Sequence, residues 1–238
     1  MADNAYAADG TGVEIYRRLP SLGEIEYIQA QLAPSSSVLD LGAGTGRIAD
    51  PLAALGHRVT AVDDSPDMLA HIRKARTILA RIEDLRLPER FDAVLVIGNM
   101  INYPGLQQRR AVLATAAAHL APGGQAILQW APPALLAARP AGWSKSLTLG
   151  EVTTTLAIHS NSGGISAGEF SLAADGRVWR QSLTAEEVTA GALRDELDRV
   201  GLVLETTDPD TRDGCMPGGV GVGVGLDRPA YSQMSPAL

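Results

Sequence analysis

The chain has 238 residues, 45% of them hydrophobic and 20% charged, which allows one α/β domain with an embellishment and a sizeable core. A net charge of −7, with no basic cluster beyond pairs such as Arg17–Arg18 and Arg109–Arg110, argues against a nucleic-acid partner, which needs a positive surface to replace counterions. The single cysteine, Cys215, excludes an intramolecular disulfide and fits a reducing cytoplasm, and no apolar stretch reaches the length of a membrane span.

The opening stretch MADNAYAADGTG lacks the positive-then-apolar order of a signal peptide; Tyr6 and Tyr16 are the aromatic residues of this segment. Ser21-x-x-Glu24 reads as a capping box and predicts a helix through Ile25, Ile28 and Leu32. Val38, Leu39 and Leu41 form the apolar run of a buried parallel strand. The run breaks at Gly42, Gly44 and Gly46, where the chain turns tightly, and a helix follows through Ile48, Leu52 and Leu55. Strand, glycine loop and helix make the nucleotide-type crevice of a doubly wound sheet, with backbone N–H groups aimed at the ligand.

What flanks the glycines narrows the ligand. The dinucleotide fingerprint wants glycine at its sixth position, where Arg47 stands, and no phosphate-loop Gly-Lys-Ser/Thr ending occurs. Asp40, just before the first glycine, repels a pyrophosphate but suits a ligand with an ammonium group and no phosphate.

Residues 57–63 read as the second strand, and Ser65-Pro66 opens the next helix as N-cap and first-turn proline. Residues 77–80 form the third strand, and 91–98, almost wholly apolar, a central fourth. An amphipathic helix over 106–120 ends at Pro122-Gly-Gly, with His119 in a capping or surface role, and 125–130 is the fifth strand. Residues 131–146 form a loop with a short helix. Three stretches of strand character follow, at 147–158, 165–172 and 177–184, with a hairpin signal at Ala174-Asp-Gly. A helix over 189–200, closed by Gly201, precedes the sixth and seventh strands at 202–206 and 219–226.

The stretches D-L-G-A-G-T-G-R from Asp40 and V-D-D-S-P-D-M-L from Val62 resemble the S-adenosylmethionine site of class I methyltransferases. So do I-E-D-L from Ile82, F-D-A-V from Phe91 and L-A-P-G-G from Leu120. The resemblance covers residues 36–131 and implies an α/β fold. Its doubly wound sheet has seven strands, mostly parallel with the last antiparallel, and a small antiparallel sheet is inserted after strand five. The chain then divides into an N-terminal lid and helix (1–35), a cofactor-binding core (36–131), an inserted substrate-covering sheet (132–186), a helix and hairpin completing the core (187–228) and a flexible tail (229–238).

The same resemblance implies that Asp40, Gly42, Ala43, Gly44 and Gly46 hold S-adenosylmethionine and its product S-adenosylhomocysteine. Tyr16 or Tyr6 either reaches the methionine carboxylate or packs a helix against the sheet. Asp63 closes the second strand, where a carboxylate offers two oxygens to the ribose hydroxyls. Asp64 stands where the family more often carries an apolar residue against adenine, and Met68 either packs on adenine or fills the core. Ile82 meets the adenine ring through its backbone and Glu83 through its side chain. Arg81 occupies the commonest acid position, and Asp84 either accepts from the adenine amino group or is a solvated charge. Ile97 and Asn99 complete the cofactor set.

No metal is expected, since Gly98-Asn99 lacks the carboxylate of the magnesium-dependent catechol type. The Asn-Pro-Pro-aromatic motif of adenine and glutamine amino-methylation is also absent. Tyr103 and His159 are the candidate catalytic residues, His159 otherwise being a surface residue, and Glu169 and Trp179 could also face the pocket. Asn99 and Tyr103 are expected to border the methyl group. The inserted strands resemble the layout of bacterial natural-product N-methyltransferases acting on amino sugars, where the extra sheet roofs the pocket and helps form a dimer. The expectation is therefore a cytoplasmic methyltransferase, as a homodimer, acting on an amine of a small molecule or small peptide. O- or C-methyl transfer, a non-catalytic S-adenosylmethionine-binding scaffold and a nicotinamide-dependent oxidoreductase stand as alternatives.

Overall fold

The computed structural model describes residues 12–204, together with the backbone of 215–216 and 219–226. The expectations for Tyr6, the Cys215 thiol and the tail 229–238 lie outside the described residues. Helices α1 (Val13–Arg18) and α2 (Glu24–Gln29) lead into β1 (Ser37–Leu41), α3 (Ala49–Ala54), β2 (Arg58–Asp63), α4 (Pro66–Leu69), β3 (Arg76–Leu79) and β4 (Phe91–Val96). Then come α5 (Leu106–His119), β5 (Leu120–Trp130), α6 (Pro133–Ala137) and four strands: β6 (Ser144–Leu149), β7 (Val152–Ser162), β8 (Ile165–Ala174) and β9 (Arg177–Glu186). The chain closes with α7 (Ala190–Asp198), β10 (Leu202–Leu204), β11 (Cys215–Met216) and β12 (Gly219–Leu226).

The main sheet runs β10-β12-β5-β4-β1-β2-β3. Its five strands from β5 to β3 are parallel, and β12 runs antiparallel to both β5 and β10. Alternation along the strands explains why both faces are covered. Val38, Ala61, Ala93, Leu95 and Ile127 pack with Ile25 and Ile28 of α2 and Leu52 of α3. Their sequence neighbours Leu39, Leu41, Val62, Val94 and Leu128 pack with Val112 and Leu113 of α5 and Leu193 and Leu197 of α7. The chain order reverses between β1 and β4, so the crevice opens at their carboxyl ends.

Three expectations need correction. The short strand β11 pairs with β12, so the main sheet has eight strands rather than seven. The inserted sheet has four strands, β6-β7-β8-β9, rather than three: Gly150, at φ 59, turns the chain inside the stretch 147–158. The capping box does not cap α2. Gly23, at φ 105, is the N-cap, and Glu24 is drawn inward, accepting from Leu22 N–H at 2.6 Å and pairing with Arg47 at 2.8 Å. Ser65 does cap α4, accepting from Met68 N–H at 3.3 Å.

The inserted sheet owes its bend to a bulge at Ile158–Ser160 of β7, where His159 is the extra residue. Gly168 of β8 faces this bulge, and a Cβ there would run into the Ala157 carbonyl oxygen. Gly168→Ala is therefore expected to cost about 1–3 kcal/mol in chemical denaturation. Gly191→Ala, in the open first turns of α7, is expected to be neutral or to stabilise by up to about 1 kcal/mol. Equal stabilities of the two variants would refute this account of the bulge.

Candidate functional site

A cleft of about 580 Å³ lies at the carboxyl ends of β1, β2 and β4, within the range of about 300–1,000 Å³ usual for small ligands. The glycine loop that floors it is folded against β2. Gly42, Gly44 and Gly46 have φ of 71, 54 and 82°, a backbone that side chains other than glycine rarely adopt. Gly42 and Ala43 both donate their N–H to the Val62 carbonyl at 2.9 Å. Gly44 N–H donates to Asp63 Oδ2 at 2.8 Å, and Gly46 N–H to the Ala43 carbonyl at 3.0 Å. The expected array of outward N–H groups is thus corrected: these four donors hold the loop in shape. A loop built this way is poor at gripping phosphate, which needs such donors.

What the cleft presents instead is carboxylate. Asp40 is 2% exposed, and its Oδ2 has no hydrogen-bond partner. Burial pushes its carboxyl up to about 7, with the Arg47 guanidinium pulling it down and the Asp63 carboxylate pushing it further up. Asp63 is aimed by backbone on both sides, since Oδ1 accepts from Ser65 N–H at 2.9 Å while Oδ2 holds Gly44. Arg47, at the sixth loop position, reaches across to Glu24 at 2.8 Å and lines the cleft. Apolar groups close the other end. A Cβ at Gly42 would come within 3.0 Å of Met100 Sδ, and one at Gly44 within 3.9 Å of Met68 Sδ.

Among the residues expected at the site, Tyr16, Asp40, Gly42, Ala43, Gly44, Asp63, Asp64, Met68, Ile82, Glu83, Ile97 and Tyr103 line this one cleft. Gly46, Asn99 and His159 do not. A Cβ at Gly46 would press on Ile72 Cγ1 at 2.8 Å, so this glycine serves packing beneath the loop. Asn99, at φ 61, donates its N–H to Gln129 Oε1 at 3.3 Å, while its neighbours Gly98 and Met100 form the wall. His159 is exposed on the β7 bulge. Glu169 pairs with Arg180 at 3.2 Å, and Trp179 packs with Ile15, Leu172 and Ala174. No residue of the inserted sheet lines the cleft, so the sheet does not roof it directly. His119 is not at the surface: it is buried, bonding the Thr115 carbonyl in the last turn of α5 at 2.7 Å and accepting from Leu87 N–H at 3.0 Å.

Gln107, Gln108 and Ala111 line the cleft without having been anticipated. Their spacing on the first turns of α5, directly after the central strand's carboxyl end, was the available signal. The preceding segment is bolted to the inserted sheet. Asn102, fully buried, donates to the carbonyls of Ala131 at 2.9 Å and Glu186 at 3.1 Å and accepts from Ala131 N–H at 2.7 Å. Arg109 donates to the Ile101 carbonyl and to Glu186 Oε2, both at 2.7 Å. Gly105 N–H and Arg109 hold the Glu186 carboxyl below the usual range. Among the described residues no cluster of His, Cys, Asp and Glu could hold a metal ion, and no described helix is long and apolar enough to cross a membrane.

Comparison with known proteins agrees with this arrangement. A family model described as a methyltransferase domain matches residues 38–124. The cypemycin N-terminal methyltransferase of a Streptomyces species is 32% identical over 153 residues, 59% of this chain and 62% of that protein. A ubiquinone biosynthesis O-methyltransferase of Xanthomonas axonopodis pv. citri is 29% identical over 139 residues, 54% of this chain and 56% of that protein. The matched regions thus span less than two thirds of either relative. In structure, the chain is similar to an S-adenosylmethionine-bound amino pentose methyltransferase from Micromonospora echinaspora involved in calicheamicin biosynthesis. That likeness has a TM-score of 0.68 at 20% identity, covers 96% of this chain and 100% of the other, and is one of fold. Residues 38–124 thus match a methyltransferase domain, and the chain as a whole shares the α/β fold of that amino pentose methyltransferase.

Proposed function

We propose that this protein transfers a methyl group from S-adenosylmethionine to an amine of a small molecule or small peptide. The observation that carries the reading is the buried Asp40, whose Oδ2 has no hydrogen-bond partner, beside Asp63 in a cleft where the Gly42, Ala43 and Gly44 amides are spent on the second strand. Such a site suits a nucleoside that carries positive charge and free ribose hydroxyls and no phosphate. Asp40 would take the ammonium end and Asp63 the sugar. Tyr16 and Arg47 would stand at the methionine carboxylate, and Met68, Ile82 and Met100 against the adenine.

When bound, the cofactor supplies an electrophilic methyl group on a sulfonium, so the protein's task is to orient the acceptor and exclude water. Tyr103, half-buried on the cleft wall, borders the acceptor's approach in this reading. An amine that arrives with its lone pair free needs no base, whereas a hydroxyl usually does. The carboxylates of the cleft are grouped at the cofactor-binding end, which favours the amine. The similarity to an N-terminal methyltransferase supports a peptide or amino-sugar amine, and the similarity to an O-methyltransferase keeps hydroxyl transfer as the second reading. Assembly as a homodimer belongs to the same proposal. It is supported by the exposed strand β6, where Leu147 and Leu149 are 42% and 39% exposed, and light scattering tests it.

The decisive assay offers labelled S-adenosylmethionine with a short peptide bearing a free N-terminus, an amino sugar and a catechol. Label on either amine supports the proposal, and label on the catechol alone shifts the assignment to O-methylation. Cofactor binding with no transfer to any acceptor identifies a scaffold. Binding of NADH in place of S-adenosylhomocysteine overturns the assignment altogether.

A further inference from the structure

The cleft-lining residues run from Tyr16 to Ala111, so the inserted sheet contributes no wall to it. The sheet nevertheless reaches the cleft through one short helix. With six residues and no side-chain cap, α1 is too short to hold its shape alone. Its anchor is the inner face of the inserted sheet. Ile15 is fully buried against Leu172, Ala174 and Trp179, and the Arg18 guanidinium lies 4.3 Å from the centre of the Trp179 ring.

Between these apolar contacts and the cleft stands Gln181 of β9. Its Oε1 accepts from Gly12 N–H, the N-cap of α1, at 3.2 Å, and its Nε2 donates to the Tyr16 hydroxyl at 3.1 Å. Both ends of one amide are thus engaged, one on the helix start and one on a side chain that lines the cofactor cleft. The donor end also sets polarity: toward Gln181 the Tyr16 oxygen is the acceptor.

We propose that Gln181 is a positioning residue, which holds the Tyr16 hydroxyl at the methionine end of the cleft and so makes cofactor affinity depend on the inserted sheet. This rests on the reading of the cleft as an S-adenosylmethionine site.

The test is calorimetric titration with S-adenosylhomocysteine, accompanied by thermal melts, on Gln181→Leu, Gln181→Glu, Tyr16→Phe and the Gln181→Leu/Tyr16→Phe pair. Gln181→Leu is expected to weaken binding about three- to tenfold, the worth of a hydrogen bond. Gln181→Glu keeps the acceptor for Gly12 but turns Tyr16 into the donor. It is expected to weaken binding similarly while melting like the wild type, which a purely structural role would not produce. In the Tyr16→Phe background, Gln181→Leu is expected to add less than about twofold, because neighbours acting as a unit are not additive. Wild-type affinity in Gln181→Leu, or independent multiplication of the two effects, overturns the proposal alone. A wild-type protein that takes up no S-adenosylhomocysteine overturns the functional reading and this inference with it.

Discussion

Asp40→Asn is expected to bind S-adenosylhomocysteine about 10–100-fold more weakly than the wild type, the worth of one charge-assisted contact in a buried site. The same substitution should stabilise the ligand-free protein at pH 8, so binding and stability move in opposite directions. The reason lies in one raised pKa. Asp40 ionises near 7 in the folded protein, against an ordinary value of 3.8. Between those values the folded chain holds a proton that the unfolded chain has released, so stability falls as pH rises from about 4 to about 7. The ammonium group of S-adenosylhomocysteine prefers the ionised carboxylate. Binding therefore expels the proton, and wild-type affinity should climb as pH is raised from about 5.5 to about 7.5, whereas the asparagine variant should be flat. Calorimetry in two buffers of different ionisation heat measures the released proton directly. If wild-type affinity is independent of pH across this interval, Asp40 does not meet a cation. Asp63→Ala supplies the companion experiment. Gly44 and Ser65 lose the carboxylate that their N–H groups donate to, so binding should fall below detection and the melting temperature should drop as well.

Asn102→Ala is expected to cost about 3–5 kcal/mol in urea unfolding and to weaken cofactor binding as well. Asn102 is fully buried and makes three hydrogen bonds, to Ala131 N–H and to the carbonyls of Ala131 and Glu186. Truncation leaves those backbone groups without this partner and away from water, at about 1–3 kcal/mol each before relaxation. Asn102→Asp should be worse than alanine, because a carboxylate oxygen would then face two carbonyl oxygens. Binding is affected because the same segment carries Met100 and Tyr103, both on the cleft wall. Arg76→Ala, which removes an exposed pair with Glu89, is the control and should change stability little. If Asn102→Ala loses no more than that control, the strut between the core and the inserted sheet is not where stability resides.

The parallel core was legible because its signals are local. Val38, Leu39 and Leu41 alternate between two apolar layers, and Ser65-Pro66 caps a helix with its own side chain. The motif residues Asp40, Gly42, Gly44 and Asp63 meet in one cleft because a strand–loop–helix unit leaves few alternatives for where its loop opens. Errors arose where a partner distant in sequence decided the outcome. Glu24 was read as half of a capping box, but Arg47, from the glycine loop, draws it inward. His119 ends its helix as expected, but Leu87 N–H, from a distant loop, turns it inward instead of to the surface. Of the two roles open to His159 the surface one holds, because the bulge facing Gly168 turns it to solvent.

Residue pattern alone settles the order of the parallel strands, the glycine turn and the placing of two aspartates at neighbouring strand ends, since each follows from periodicity and backbone freedom over a few consecutive residues. Tertiary structure alone decides that the amides of Gly42, Ala43 and Gly44 are spent on β2, that Asp40 is left without a hydrogen-bond partner at its Oδ2, and that Gln181 joins the inserted sheet to Tyr16. Those facts depend on which groups remain unsatisfied once segments up to 165 residues apart are packed together, and no local stretch of chain encodes that balance.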